Sequence, residues 1–414
     1  MSVYDRWHKS HPRPADEPCA EHSRGKTRLY PTAQHMQGDR WQVRWRDDTG
    51  RQCKQNFAKR SDADAMDAQV RASLSAGTYI DAAAGKAKFS VYAEQWRAVQ
   101  VHREATATLT ERAMRLYVNP VIGDLALAAV RPVHVQQLVR RLADELAPST
   151  VHVTYGYVAS IFKAAVRDRL IGRTPCEGIR LPALPKRQMF IPDPPAVLTV
   201  AGLLPGHYRA APLLAAQSGL RPSEVFGLEV DGIDFLRRTI RVRQQLVTSS
   251  KRGNVAYLAL PKTPQSDRTV PITQATVDML AAHLAGFPAR EVEIEDRTDP
   301  RHPARRVARL VFTSSRVEPV KRSVWSGVWN PAARKAGFPP RTGLHACRHF
   351  YASALIRYGE SVKTVQHLLG HSSPAITLNV YAHLWPDADD RARQAIEAAF
   401  GLDVPSMCPR AGEA

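Results

Sequence analysis

Residues 344–384, LHACRHFYASALIRYGE followed by SVKTVQHLLGHSSPAITLNVYAHL, read as three helices joined by two tight turns. Gly343 and Leu344 precede a helix that runs to Tyr358, with Gly359 as the residue just past its end. Ser361 caps a second, short helix that stops at Gly370. Ser373-Pro374 opens a third, with proline in the first helical position. His345 and Arg348 are three apart on the first turn of the first helix, near its positive end. Leu344, Cys347, Tyr351 and Leu355 are placed on the buried side. His371 falls in the turn between the second and third helices, and Tyr381 lies two turns into the third, on the side of Thr377.

Two upstream segments supply further cations. SGLRPSEVFGL sets Arg221 before Pro222-Ser223-Glu224 at a helix start, and LPKTPQSDRTVPI sets Lys262 after a strand. Singly, each residue has an ordinary explanation. Arg221 pairs with Glu224 on a surface, Lys262 ends an edge strand, His371 caps a turn, and Tyr381 is a core aromatic with a bonded hydroxyl. Together, two arginines, two histidines, a lysine and a tyrosine contain no carboxylate pair and no thiolate. That set suits a phosphodiester held by cations and attacked by a phenol oxygen.

The bulk composition agrees. The 414 residues carry 58 Lys plus Arg against 39 Asp plus Glu, a net charge of +19, which favours a polyanionic partner such as nucleic acid. No apolar run is long enough for a membrane span and the N-terminus lacks a secretory h-region, so the expectation is a cytoplasmic protein. Five scattered cysteines with no CxxC pair indicate neither a disulfide framework nor a cysteine-based zinc site. His345 and His349 have zinc-ligand spacing but lack the intervening glutamate of His-Glu-x-x-His, so no metal is expected there either.

Along the chain, residues 1–24 read as a disordered lead-in. Trp41, Val43 and Trp45 alternate with Gln42, Arg44 and Arg46 as a half-buried strand, and Arg51 to Phe57 returns as its partner. Thr27 to Tyr30 is a candidate third strand. A capping box at Ser61 and Asp64 opens a helix to Ser75. Residues 25–85 are therefore a small sheet with one helix and an exposed basic face of Arg44, Arg46 and Lys54. Residues 86–182 read as four helices. Among them, Thr108 to Val118 is stopped by Asn119-Pro120, and the longest is capped by Ser149. A proline-rich basic linker covers 183–195. The largest domain, 196–402, opens helical, turns to strands between Ile233 and Ile272, then returns to helices. An amphipathic helix over 387–400 and a tail over 403–414 close the chain. The fold class expected is multidomain and mostly α with small β elements, the last domain being α+β.

These segments resemble the tyrosine recombinase family, the lambda-type phage integrases. Arg221 with Glu224 matches the family's first arginine and the carboxylate after it. Lys262-Thr263 before Arg268-Thr269-Val270-Pro271 matches its β-hairpin lysine, and His345-x-x-Arg348 its His-x-x-Arg. Leu369-Gly370-His371 matches its Leu-Gly-His turn, and Tyr381, ten residues later, its nucleophile. Where members often carry His-Asp-Leu-Arg-His, this chain has His345-Ala346-Cys347-Arg348-His349.

The resemblance implies a site-specific recombinase of a phage or integrative element, with Arg221, Lys262, His345, Arg348, His371 and Tyr381 at its active site and no cofactor. The two arginines hold the phosphate, Tyr381 forms a 3′-phosphotyrosine, His345 binds the phosphate or takes the tyrosine proton, and Lys262 protonates the leaving oxygen. The implied partners are double-stranded DNA at core and arm sites, a homotetramer on DNA, a host DNA-bending protein and a directionality factor. The N-terminal sheet resembles an arm-binding domain and the four helices a core-binding domain. The alternatives are a DNA-binding homologue without catalysis, and a resolvase or transposon recombinase of the same chemistry.

Overall fold

The computed structural model describes residues 2–24, 26–47, 50–81, 84–185, 189–249 and 255–382, with isolated positions 393, 396, 397 and 399 beyond them. The chain forms two compact units, Met1–Lys186 and Arg187–Ala414. The helix expected over 387–400 and the tail over 403–414 lie almost wholly outside the described residues.

The first unit begins with a three-stranded antiparallel sheet, β1 (Ser2–Asp5), β2 (Trp41–Arg46) and β3 (Gln52–Phe57), with β2 in the middle. This corrects two expectations. The lead-in is ordered at Ser2–Asp5, and that segment, not Thr27 to Tyr30, is the third strand, with Val3 opposite Val43. A four-residue strand whose partner lies far along the chain carries too little periodicity to be read locally. Helix α1 (Arg60–Ser75) packs on the sheet, and its N-cap is Lys59, without the side-chain cap expected at Ser61. Val43, Trp45, Ala63, Val70 and Tyr79 form a small core, in which Trp45 Nε1 donates to Tyr79 Oη at 2.7 Å. Arg44, Arg46 and Lys54 are exposed.

Next come α2 (Phe89–Ala98), α3 (Glu104–Ala113), α4 (Asn119–Ile122), α5 (Pro132–Glu145) and α6 (Pro148–Arg167). Asn119-Pro120 does not stop the helix as expected. A π-helical turn at Met114–Val118 joins α3 to α4, and its wider spacing accommodates a residue without an N–H. Four helical runs result. On α6, Val151, Val158, Ile161, Phe162 and Ala165 are all fully buried on one face. Its N-cap is Ala147, with Pro148 ahead of the expected Ser149.

The second unit contains α7 (Pro194–Leu203), α8 (Ala210–Ser218), α9 (Pro222–Phe226), β4 (Ile233–Asp234), β5 (Thr239–Val242), β6 (Gln245–Thr248), β7 (Ala256–Ala259), β8 (Arg268–Pro271), α10 (Gln274–Gly286), β9 (Arg290–Arg297), β10 (Ala304–Leu310), α11 (Arg322–Lys335), α12 (His345–Arg357), α13 (Val362–Leu369) and α14 (Pro374–Tyr381). One sheet has the order β10-β9-β7-β6, with β7 parallel to β9; the other has the order β4-β5-β8. The β9–β10 hairpin corrects the expectation that only helices follow Ile272. REVEIEDR alternates charged and apolar residues, and Val292 and Ile294 are buried while Glu291 and Glu293 are exposed. Helix α8 is buried on nearly all sides, and α12 packs against it. This contact holds α12, which carries His345 and Arg348, to the core.

Candidate active site

Arg221 is the N-cap of α9, and the Glu224 carboxylate three residues on accepts from the Arg221 backbone N–H at 2.9 Å. The same carboxylate accepts from the Arg221 side chain (Nη1, 2.6 Å) and from Arg268 on β8 (Nη2, 2.9 Å). Glu224 and Arg268 are buried. Burial alone would raise the Glu224 pKa, but Arg268, then Arg221 and Arg348, outweigh it and hold the carboxylate below its ordinary range. Glu224 thus anchors two cations.

Two left-handed glycines let the chain approach the arginines. Gly219 (φ +64°) ends α8, and its carbonyl accepts from Arg348 Nη1 at 2.5 Å. Gly370 (φ +61°) ends α13, and its carbonyl accepts from Arg221 Nη2 at 2.9 Å. A Cβ at Gly370 would lie 2.9 Å from the Gln265 carbonyl oxygen and 3.0 Å from Ser266 Cα. Only glycine satisfies both the backbone angle and the close contact.

Arg348 is 1% exposed, on the buried face of α12. The sequence reading had placed Arg348 beside His345 and away from that face. The His345 ring is exposed at the rim while Arg348 points inward. Arg348 Nη2 also donates to the Leu369 carbonyl at 2.6 Å, so the guanidinium ties α12 to both α8 and α13. Burial first, and the Arg221 charge second, lower its pKa to about 9, which leaves it cationic at neutral pH.

Tyr381, at the end of α14, is also 1% exposed and packs among Ala352, Ile356, Val365 and Leu369. Its hydroxyl lies 2.7 Å from His349 Nδ1. Burial lowers the His349 pKa to about 4, with Arg348 adding to the effect. The ring is therefore neutral at pH 7, and a neutral Nδ1 can accept the tyrosine O–H. Burial pushes the Tyr381 hydroxyl up to about 12 while Arg348 works the other way. His345 stacks edge-on against His349 at 4.7 Å between ring centroids. Crowding by protein, then His349, Arg348 and Arg221, lower the His345 pKa, and solvent at its exposed edge screens part of this. His371 pairs its Nδ1 with Thr377 Oγ1 at 2.9 Å, and burial, then Arg348 and Arg221, lower its pKa to about 3.

Arg221, His345, Arg348, His371 and Tyr381 therefore converge from four separated segments. Lys262, exposed like His345, stands at the start of the loop between β7 and β8. That loop reaches the cluster through Ser266, whose hydroxyl accepts from Arg221 Nη1 at 3.1 Å, and then through Arg268. Cys347 is fully buried, and burial pushes its thiol up to about 12, as befits an inert core residue. Sequence reasoning missed His349 and Arg268 as members of the site. His349 was visible as the neighbour of Arg348, one helical turn after His345. Arg268 sat in the quoted lysine segment, and only the fold brings it to Glu224.

The chain is similar to known proteins in both sequence and fold. The chain matches the phage integrase central domain over residues 89–181 and the phage integrase family over residues 199–387. It belongs to the tyrosine recombinase family. A tyrosine recombinase XerC-like protein of Caldanaerobacter subterraneus subsp. tengcongensis is 28% identical over 72% of this chain and 79% of its own length. In fold, the chain is similar to the Tn1549 transposon integrase solved in complex with transposon right end DNA (TM-score 0.64, 21% identity, 75% of this chain and 99% of that one). It is also similar to a lambda integrase tetramer bound to a Holliday junction (TM-score 0.50, 16% identity, 80% of this chain and 93% of that one). The protein is a site-specific tyrosine recombinase. Among its described residues no helix is long and apolar enough to cross a membrane.

Proposed function

We propose that this recombinase integrates and excises a mobile DNA element, cutting each strand through Tyr381 and rejoining it through the resulting 3′-phosphotyrosine. The observation that carries the reading is the convergence of Arg221, Arg348, His345, His371 and Tyr381 from segments as much as 160 residues apart on a single carboxylate-anchored scaffold. The Tyr381 oxygen attacks phosphorus and the bond to the 5′-oxygen breaks. His349, at hydrogen-bond distance, positions the phenol and takes its proton. Arg221 and Arg348 bind the non-bridging oxygens as negative charge grows there. His345 and His371 add hydrogen bonds to the phosphate, and Lys262 protonates the leaving oxygen. The phosphotyrosine keeps the phosphodiester energy, so a 5′-hydroxyl from another strand reverses the step without ATP.

Tyr381 and Arg348 are both nearly inaccessible. DNA binding therefore has to shift the α14 segment before a phosphate meets both. The partners follow from this reading: double-stranded DNA, a homotetramer assembled on two duplexes, a host DNA-bending protein and a directionality factor. Arg44, Arg46 and Lys54 on the N-terminal sheet suit contact with an arm site. The test uses a nicked duplex carrying the junction sequence that flanks the gene. A covalent protein–DNA adduct is expected without added Mg²⁺. Strict dependence on Mg²⁺ would point to a metal nuclease.

A further inference from the structure

Away from the recombination chemistry, the N-terminal module gathers a second polar cluster. His8, Cys19, His22 and His35 each bring one ligand-type atom to a common point, with all four atoms within 4.8 Å of one another. Cys19 Sγ lies 3.3 Å from His22 Nδ1 and 3.2 Å from His35 Nε2, and those two nitrogens are 3.2 Å apart. A tetrahedral zinc with Zn–N of about 2.0–2.1 Å and Zn–S of about 2.3 Å has ligand-to-ligand edges of about 3.3–3.6 Å. Three of the six edges are therefore already close to coordination length.

The fourth corner is His8, which is 3% exposed. Its Nε2 is buried without a hydrogen-bond partner, a costly state for a ring nitrogen. The three imidazoles stand around the centre with near-threefold regularity, at centroid distances of 5.1, 5.2 and 5.2 Å. His8 Nδ1 is 2.8 Å from Asp5 Oδ2, and Arg40 fixes that carboxylate from Nε at 3.0 Å and Nη2 at 2.8 Å. A carboxylate behind a histidine sets the tautomer that leaves Nε2 free to bind a metal.

We propose that His8, Cys19, His22 and His35 bind one structural zinc ion that closes the segment between β1 and β2. One thiolate and three imidazoles form a soft, nitrogen-rich set suited to zinc, and four protein ligands leave no open position for catalysis. The fold supplies the reason for such a clasp. Among the described residues between Asp5 and Trp41, no helix or extended strand forms, only isolated bridges such as His8 to Pro31. A loop of that length beside a core as small as this module's needs a further cross-link. The sequence concealed the site because Cys19 has no CxxC partner and its companions are histidines spread over both sides of it.

The test measures metal in the full-length chain, purified without a polyhistidine tag and dialysed exhaustively. Mass spectrometry of the metals is expected to find about one zinc per chain. A Cys19→Ser/His35→Ala double variant should lose it, while His345→Ala, which alters the other histidine cluster, should keep it. Cobalt(II) exchanged into the unmodified protein should show thiolate-to-cobalt charge transfer, so the proposal stays testable if the double variant fails to fold. An unmodified chain that binds no zinc after incubation with equimolar zinc would overturn the assignment. So would unchanged zinc content in the double variant, a stoichiometric metal other than zinc, or a cobalt spectrum lacking the thiolate band.

Discussion

The recombinase carries two polar clusters, and they are satisfied in opposite ways. Among the Arg221, Arg268 and Arg348 side chains, unlike charges face one another: Glu224 binds Arg268 and Arg221, and the carbonyls of Gly219, Ser266, Leu368, Leu369 and Gly370 with the Ser266 hydroxyl accept further guanidinium bonds. In the N-terminal module, four like-natured ligands face one another, and the buried His8 Nε2 has no partner. The first cluster is complete as a protein structure and needs DNA only to work. The second becomes complete only around a cation. Internal compensation therefore separates the proposed phosphate-binding site from the proposed metal site.

The sharpest way to break the first half of that contrast is Glu224→Gln. The change leaves Arg268 buried at 1% side-chain exposure without its counter-charge. The expected cost is about 3–5 kcal/mol, read as a lower urea midpoint at unchanged m-value. A midpoint equal to that of the native chain would show that the carbonyls alone carry the arginines. His349→Phe removes the hydrogen bond to Tyr381 while keeping an aromatic ring. Adduct formation should slow by about 10²-fold with DNA affinity unchanged; an unaltered rate would return the proton to His345.

Gly370→Ala tests whether the cluster depends on the backbone. A left-handed alanine costs about 1–2 kcal/mol before the clash with Gln265 is counted, so a melting temperature within error of native would contradict the close approach. An effect of pH is expected as well. The His349 and His371 pKa values, lowered by burial to about 4 and about 3, lie below the ordinary histidine value of 6.5. Below pH 6.5 the unfolded chain binds more protons than the folded one, so stability falls as pH drops from there toward the folded values. Melting profiles of the native chain and of a His371→Asn variant should differ most in that window. Parallel profiles would mean that His371 titrates normally.

How much was legible follows the same physics. Arg221, His345, Arg348, His371 and Tyr381 sit at helix starts, in turns or a fixed number of turns along a helix, and caps, glycines and prolines mark those places locally. Their convergence needed the family pattern, because nothing in the spacing says that α8, α12 and α13 meet. The partners of Glu224 illustrate the limit: Arg221 is three residues away and could be read, while Arg268 lies 44 residues along the chain on β8. The β9–β10 hairpin is marked locally by the alternation of Glu291, Val292, Glu293, Ile294 and Glu295. Strand β1 and the His/Cys cluster were beyond local reading, since their partners lie across a segment with no periodicity.

We propose Tyr381 as the residue joined to DNA. Trapping the adduct on a nicked junction duplex, digesting it and sequencing the DNA-linked peptide should place a 3′-phosphate on Tyr381. The Tyr381→Phe variant should bind the same duplex and yield no adduct. A linked peptide from any other segment, or an adduct that persists in the phenylalanine variant, would rule Tyr381 out as the nucleophile.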